Sequence, residues 1–465
     1  MDLPSKLRFT RKIAFGWPNG HPLSQDVLGW ALSQFNSVPT IDILEPDGSR
    51  RKDLPESVRL VWGMEDTMAA YDAIESAEDN VNKLAKNLSK EEFQRAQQEM
   101  LHIPFKRIEH WKECQARGTT ALYGSGPVFE RFWHFWTNHF MVAPGNANND
   151  PLIGPYQRML REHMVGDFRT LLWHAITHPG IITYLDNHRN TGPNSKAKLR
   201  GWTKDSVNEN LGRELLELFT LSPSSGYSQR DVEETTLILT GWKYARNGQN
   251  KKEYRKPGTY FDYNHHEPGE RHVMGKTYSS LFRPTSKLED LITDLAYHPA
   301  TAQHIAHKLC VYFLQDSPPV ECVEAVKQVF IQSRGHLPSV HQEVVVQAWK
   351  TLTNTRKFSS PEAWVLQAHR DLNIDLPRTL PLPSEKGLKY TYLLGDLGQP
   401  IPWCPQPNGW PIQSAEWVSK EMIDRRIRYA ILMQTFSGFP AKSKQQEKQQ
   451  ETQAFQVLHA DFLWS

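Results

Sequence analysis

The chain has 465 residues and a formal net charge of +2; 39% of the residues are apolar and 23% are charged. That length holds one large domain or two or three ordinary ones, and the apolar content suits a globular protein with a sizeable core. A charge this close to zero provides no global field to steer the chain to nucleic acid or an anionic membrane. The four cysteines, Cys114, Cys310, Cys322 and Cys404, form no CxxC pair, so the pattern excludes a zinc finger and points to no disulfide scaffold.

In chain order, the N-terminal Met1-Asp-Leu-Pro-Ser-Lys-Leu-Arg lacks the apolar core of a signal peptide, and no run of about 18 apolar residues follows anywhere. The expectation is a cytoplasmic protein with no membrane span. Apolar spacing near 3.6 predicts helices near 24–36, 64–86, 90–116, 127–141, 155–177, 205–221 and 228–241. The same spacing continues near 286–296, 299–315, 320–333, 338–352 and 361–372. Ser24, Ser89 and Ser228 read as N-caps. Segments 40–62 and 243–283 are irregular and can hold short hairpins, but no alternating series supports a large sheet. Proline and glycine punctuate 377–411, which reads as an ordered loop region, and Lys442–Gln453 is Gln/Lys-rich. The fold expected is mainly α: one large helical domain over 1–440 with long irregular loops, and a tail over 441–465 that is mobile or packed as a helix. Fifteen tryptophans suit sugar or aromatic-ligand clefts, yet for any one of them core packing is the ordinary use.

Four segments carry side chains suited to chemistry. In Asn208-Glu-Asn-Leu-Gly-Arg-Glu-Leu-Leu-Glu-Leu-Phe-Thr-Leu221, a helical wheel puts Asn210, Arg213, Glu214 and Glu217 on one arc and Leu211, Leu215, Leu218 and Phe219 on the other. The bland alternative is a surface helix with an Arg213–Glu217 ion pair. In Gly126–Met141, His139 falls inside the apolar arc beside Val128, Phe132 and Phe135, while Arg131, His134 and Asn138 take the polar side. A desolvated histidine is neutral, which suits a metal ligand or general base, although a core histidine bonded to a carbonyl has the same pattern. His174 and His178 stand four apart, a chelating spacing, but Pro179 also makes His178 a helix terminus. His265, His266, Glu267 and His272 share a polar loop. No Walker loop, dinucleotide fingerprint, HExxH or nucleophile elbow is present.

These segments resemble the bacterial family called domain of unknown function 1800. The matching pieces run from Arg11-Lys-Ile-Ala-Phe-Gly16 through Phe135-Trp-Thr-Asn-His-Phe140, Tyr156 to Arg169, His178-Pro to Tyr184-Leu-Asp-Asn187 and Asn208 to Leu221. Asp231-Val, Leu239-Thr-Gly-Trp242, His298-Pro-Ala-Thr-Ala and Asn408-Gly-Trp-Pro411 follow, so the resemblance spans about residues 8–435. Two departures stand out: Glu267 where the family has Asp, and Val207 where it has Pro. The family has no settled activity. The resemblance implies a neighbour-encoded, sulfatase-like, Tat-exported partner (domain of unknown function 1501) and export alongside it. Motif positions that are mostly polar favour a site over a purely structural core.

Three functions fit the residues. The first is hydrolysis or elimination on a small polar, carbohydrate-like substrate. Glu214, Glu217, His139 and Asp186 would be catalytic, and Asn138, Asn187, Asn208, Asn210, Arg213 and Trp242 would hold the substrate. The second is a metalloenzyme, with redox chemistry among its options and a divalent metal on His139, His178, Glu214, Glu217 and His266. The third is a non-catalytic helical partner of the exported sulfatase-like protein. Neither nucleic acid nor membrane is expected as a partner.

Overall fold

A computed structural model describes residues 2–18, 22–39, 89–92, 94–95, 110–144, 152–245, 258–280, 282–374, 376, 390–436 and 457–464. The helix expected at 64–86, most of that at 90–116, segment 40–62 and Lys442–Gln453 lie outside these residues. The chain is mainly α, as the periodicity requires. In order, the helices are α1 (Leu3–Ile13), α2 (Val27–Ser33), α3 (His110–Tyr123), α4 (Pro127–His139), α5 (Ile153–His163), α6 (Phe168–Thr177), α7 (Pro179–Tyr184), α8 (Lys196–Leu199) and α9 (Asn210–Glu214), which runs on as a π-turn over Leu215–Thr220. They continue as α10 (Gln229–Leu239), α11 (Ser286–Ala296), α12 (Pro299–Phe313), α13 (Val320–Gln332), α14 (Leu337–Lys350), α15 (Pro361–Asp371), α16 (Tyr390–Asp396), α17 (Lys420–Phe436) and α18 (Ala460–Leu463). The described strands form two antiparallel hairpins: β1 (Trp242–Ala245) with β2 (Gly258–Phe261), Trp242 opposite Phe261, and β3 (Arg271–Val273) with β4 (Lys276–Tyr278).

Capping chemistry sets several boundaries. Ser228 and Asp231 form the capping box expected at the start of α10. At α2 the cap is Asp26, whose Oδ1 accepts from Gly29 N at 2.8 Å, not Ser24. The single helix expected over 155–177 is broken in two. Asp167 caps α6 by accepting from Thr170 N at 2.8 Å. The chain there bonds instead to the α13–α14 connection, through Phe168 N to Gly335 O at 2.8 Å and Leu337 N to Gly166 O at 2.9 Å. Periodicity continues through this break because both pieces bury the same side.

One large apolar cluster joins α4–α7, the π-turn and α10–α14; a second joins α3 and α15–α17 with the C-terminal residues 457–464. The described part of the tail is packed: Trp364 Nε1 donates to Val457 O at 2.9 Å, and Ser359 N to Leu463 O at 3.0 Å. Helix α4 stands at the centre. All of its residues except Asn138 are buried, so its polar side does not face solvent as the helical wheel alone implies. Phe132 stacks on Phe313 with centroids 4.2 Å apart, and Trp136 Nε1 donates to His341 Nε2 at 2.9 Å. All four cysteines are buried, and none is in a disulfide. Among the described residues no helix is long and apolar enough to cross a membrane.

Candidate functional site

The Asn208–Leu221 segment keeps its two faces but changes its winding. Helix starts only at Asn210, because Asn208 Oδ1 accepts from Asn210 N at 2.9 Å and turns the preceding chain away. From Leu215 onward the bonds lengthen to i→i−5: Leu221 N donates to Leu216 O at 2.9 Å and Thr220 Oγ1 to Leu215 O at 2.5 Å. A π-turn inserts an extra residue, a geometry frequent at functional sites, and the helix end that follows leaves its last carbonyls without intrahelical partners. Two of those carbonyls are claimed by histidines: His139 Nε2 donates to Phe219 O at 3.3 Å and His304 Nε2 to Leu218 O at 3.1 Å.

On the outer side, Glu214 and Glu217 are both half-buried and one turn apart. Burial first, and the neighbouring Glu217 second, push the Glu214 carboxyl up to about 7 against the opposing pull of Arg213. Tyr227 Oη donates to Glu217 Oε2 at 3.4 Å. Burial also raises Tyr184 to about 12, with the charges of Cys404 and Glu214 adding to it. The Arg213–Glu217 pair of the bland alternative is not present among the described residues. Arg213 turns toward the N-terminus, bonding Glu209 Oε2 at 2.8 Å and Gln229 Oε1 at 2.9 Å. Among the described residues Glu217 therefore has no cationic partner, and the charge of Glu217 acts on the Glu214 carboxyl.

Most of the other expected site residues are occupied by the scaffold. His139 is buried among Phe135, Trp136, Phe140 and Phe219 and kept neutral, chiefly by burial and then by Lys308 and His304. With Nε2 on the Phe219 carbonyl it is the core histidine of the bland alternative, and it faces the main chain rather than the carboxyls. Asn138 grips the Trp410 backbone from both sides, donating to its carbonyl at 2.9 Å and accepting from its N–H at 2.7 Å. Asn187 donates to the Leu239 and Trp242 carbonyls, both at 3.1 Å, and accepts from Asn190 Nδ2 at 3.1 Å. Asn190 in turn accepts from Asn208 N at 3.2 Å. Asn210 is exposed, and Trp242 packs edge-on to Trp173 and Phe261. Asp186 adopts φ 56° before the turn Asn187–Arg189, and no hydrogen bond or ion pair joins its carboxylate to Glu214 or Glu217.

The expected metal set does not come together. His178 lies off helix α6 and caps α7, with Nδ1 accepting from Gly180 N at 3.0 Å, so it cannot chelate with His174; His174 instead stacks on His163 at 3.8 Å. His266 donates through Nδ1 to Thr240 O at 2.8 Å, and its Nε2 lone pair receives Lys287 Nζ at 3.0 Å. Burial first lowers His266 to about 4. Glu267 is committed as well, with Oε2 accepting from Asn194 N at 2.8 Å and Oε1 from Asn194 Nδ2 at 2.7 Å. Among the described residues no group of three or more His, Cys, Asp or Glu side chains is placed to hold a metal. His178-Pro and His298-Pro do the same local work, since His298 Nδ1 accepts from Ala300 N at 3.1 Å. Their repetition was the sequence signal for a capping role.

The described pocket is not lined by the Glu214 pair. It lies around Asn138, Met141 and Trp410, with Arg117, Arg131, His134, Lys357 and Glu362 inside. Met141, Ala143 and Cys404 form a small apolar cluster against which Tyr184 and Trp410 pack, so one layer of side chains joins the pocket wall to the surroundings of Glu214. Sequence reasoning placed Arg131 and His134 only on a polar arc and passed over Arg117, Lys357 and Glu362, which come from segments far apart in the chain. The Asn408–Pro411 motif supplied a signal, because a motif so rich in Gly, Trp and Pro reads as a fixed loop. Gly409 sits at φ 79° with the position of a Cβ only 2.2 Å from Asn138 O. Only glycine allows Asn138 and the Trp410 backbone to approach this closely.

Two segments matched by motif, Phe135–Phe140 and Asn408–Pro411, are thus locked together in space. The chain matches the family described as protein of unknown function (DUF1800) over residues 30–463. It belongs to that family. The match begins later and ends later than the 8–435 span marked by the motifs. No curated protein and no solved structure gave a match.

Proposed function

We propose that this DUF1800 protein is an enzyme of the hydrolase or lyase type that uses the Glu214–Glu217 pair for general acid/base work on a polar, carbohydrate-like substrate. The observation that carries the reading is the pairing itself: two half-buried carboxyls one turn apart where α9 passes into the π-turn, with no cation bonded to either among the described residues. Glu214, raised to about 7, holds a proton near neutral pH and is suited to act as the acid. Glu217, with Tyr227 Oη on one oxygen, takes the role of base or of electrostatic partner. Carboxyls on adjacent turns are closer than a water-spanning inverting pair, which favours a mechanism in which one of them acts directly. His139 takes no part in this reading.

The test is a screen of aryl glycosides and polysaccharides with the wild-type protein, Glu214→Gln and Glu217→Gln, with circular dichroism to check folding. Turnover lost in folded Glu214→Gln supports the assignment. Undiminished turnover in Glu214→Gln defeats it.

A second reading, a non-catalytic partner of a sulfatase-like exported protein, is favoured by the asparagines. Asn138, Asn187 and Asn208 spend their side chains on main-chain groups, as a scaffold requires. Co-expression with the neighbour-encoded protein and size-exclusion chromatography test it, and elution as two separate species counts against it.

A further inference from the structure

The pocket beside Asn138 and Trp410 contains about 660 Å³ of empty space, its open mouth included, and its charge is unbalanced. Three cations, Arg117, Arg131 and Lys357, line it together with one carboxylate, Glu362. Glu362 is already engaged. It receives Arg117 Nε at 2.9 Å and Nη2 at 3.1 Å, and His134 Nδ1 lies 3.3 Å from Oε2. Lys357 Nζ bonds Asp316. Arg131 is the exception. It is 5% exposed, and its Nε and Nη1 are buried without any hydrogen-bond partner.

The way Arg131 is held explains what it can still do. Its guanidinium carbon lies 5.1 Å from the ring centroids of both Phe15 and Tyr312. Ring contacts occupy the faces of a guanidinium, whereas its N–H donors point out along the edge. Cation–π contact offsets part of the desolvation but satisfies none of those donors. A guanidinium does not shed its charge as a buried lysine or histidine does, and an unpaired buried charge is costly. Two further orphans belong to residues lining the same pocket: Trp410 Nε1, a donor, and His134 Nε2. Phe358, Ile401, Trp410 and Trp417 also line the pocket and give it an apolar wall.

We propose that this pocket is a binding site for an oxoanion, a carboxylate, phosphate or sulfate carried on a small molecule with an apolar or ring-shaped body. Arg131 receives the anion along an edge of its guanidinium, Nη2 together with Nε or Nη1, the bidentate geometry in which guanidinium binds oxoanions best. Trp410 Nε1 supplies a further donor, and the apolar wall takes the body of the ligand. Glu362 orients Arg117 and is not itself a ligand group. The site is independent of the Glu214 pair, and its test does not require the protein to be an enzyme.

The experiment is isothermal titration of the full chain with sodium phosphate, sodium sulfate and sodium benzoate, each against sodium chloride at matched ionic strength. The thermal midpoint is followed in parallel. Saturable binding of at least one probe is expected, with a rise in midpoint that chloride does not produce. The probe that saturates identifies the anion class. Arg131→Met should fold at least as well in chloride, because it removes an unpaired buried charge, and should weaken binding at least tenfold. Should Arg131→Met fail to fold, tungstate diffused into wild-type crystals replaces it as the probe, with anomalous density expected within hydrogen-bond reach of Arg131. No saturable binding by any probe, equal affinity in Arg131→Met, or tungstate located away from Arg131 would overturn the proposal.

Discussion

Replacing Glu362 by Gln tests the electrostatic core of the molecule most directly. Glu362 is 5% exposed and is the one carboxylate facing Arg117, His134 and Arg131. Burial opposes its charge, yet Arg117 and His134 together hold its carboxyl well below the usual carboxylate range. Glutamine keeps the shape and one acceptor oxygen. It loses the charge and one of the two Arg117 bonds at 2.9 and 3.1 Å. Charge-assisted bonds contribute about 1.5–3 kcal/mol each, and removing one member of a buried pair costs about 3–5 kcal/mol. Because half of the hydrogen bonding survives, the lower end applies, so a loss of about 3 kcal/mol is expected. Urea unfolding followed by tryptophan fluorescence measures it. The double variant Arg117→Met/Glu362→Met should recover most of the loss, since it removes the stranded charge together with its partner. A loss below about 1 kcal/mol in Glu362→Gln, or a double variant worse than the sum of its singles, would refute the view that this carboxylate neutralises buried arginine.

The other expected outcomes are as follows. Gly409→Ala forces a Cβ to 2.2 Å from Asn138 O at φ 79°, so it should cost about 1–3 kcal/mol and part Trp410 from Asn138; a neutral effect in urea unfolding contradicts the clamp. Asn187→Ala strands the Leu239 and Trp242 carbonyls and should cost about 1–3 kcal/mol without any dependence on added ligand. Glu214, raised from its ordinary value to about 7, keeps its proton in the folded state where the unfolded chain has already lost it. Its contribution to stability is therefore complete below about pH 4.5 and lost as pH rises through about 7. Carbon-detected NMR of the glutamate carboxyls should place its midpoint near 7, and Glu217→Gln should lower that midpoint; a midpoint near 4.5 in the wild type refutes the pairing.

Much of the architecture was legible along the chain. The helix over 286–296 coincides with α11, and the helices near 299–315, 320–333, 338–352 and 361–372 match α12–α15 to within two residues. Amphipathic spacing marks such helices because each packs one stripe against the same apolar cluster. The helix at 420–436 was not marked, and its apolar residues form only a weak stripe. The Gly166–Asp167 break was missed for a different reason: the cap competes with the helix only because Gly335 and Leu337 arrive to bond the freed backbone groups.

The sequence by itself determined the helical class, most helix positions, the half-buried face carrying Glu214 and Glu217, and family membership through ordered motifs. Those properties depend on neighbours within a few turns. Tertiary structure alone decided which polar motif residues are spent on the scaffold. His139 meets the Phe219 carbonyl because packing sets α4 against the end of the π-turn, where the last carbonyls have no helical partner, and Asn138 meets Trp410 only because Gly409 lets two distant segments touch. Arg131 reads as an ordinary charge on a helix in the sequence. Its burial between Phe15 and Tyr312, with Nε and Nη1 left without hydrogen-bond partners, is a fact of packing between α4, α12 and the segment that follows α1 that no local pattern encodes.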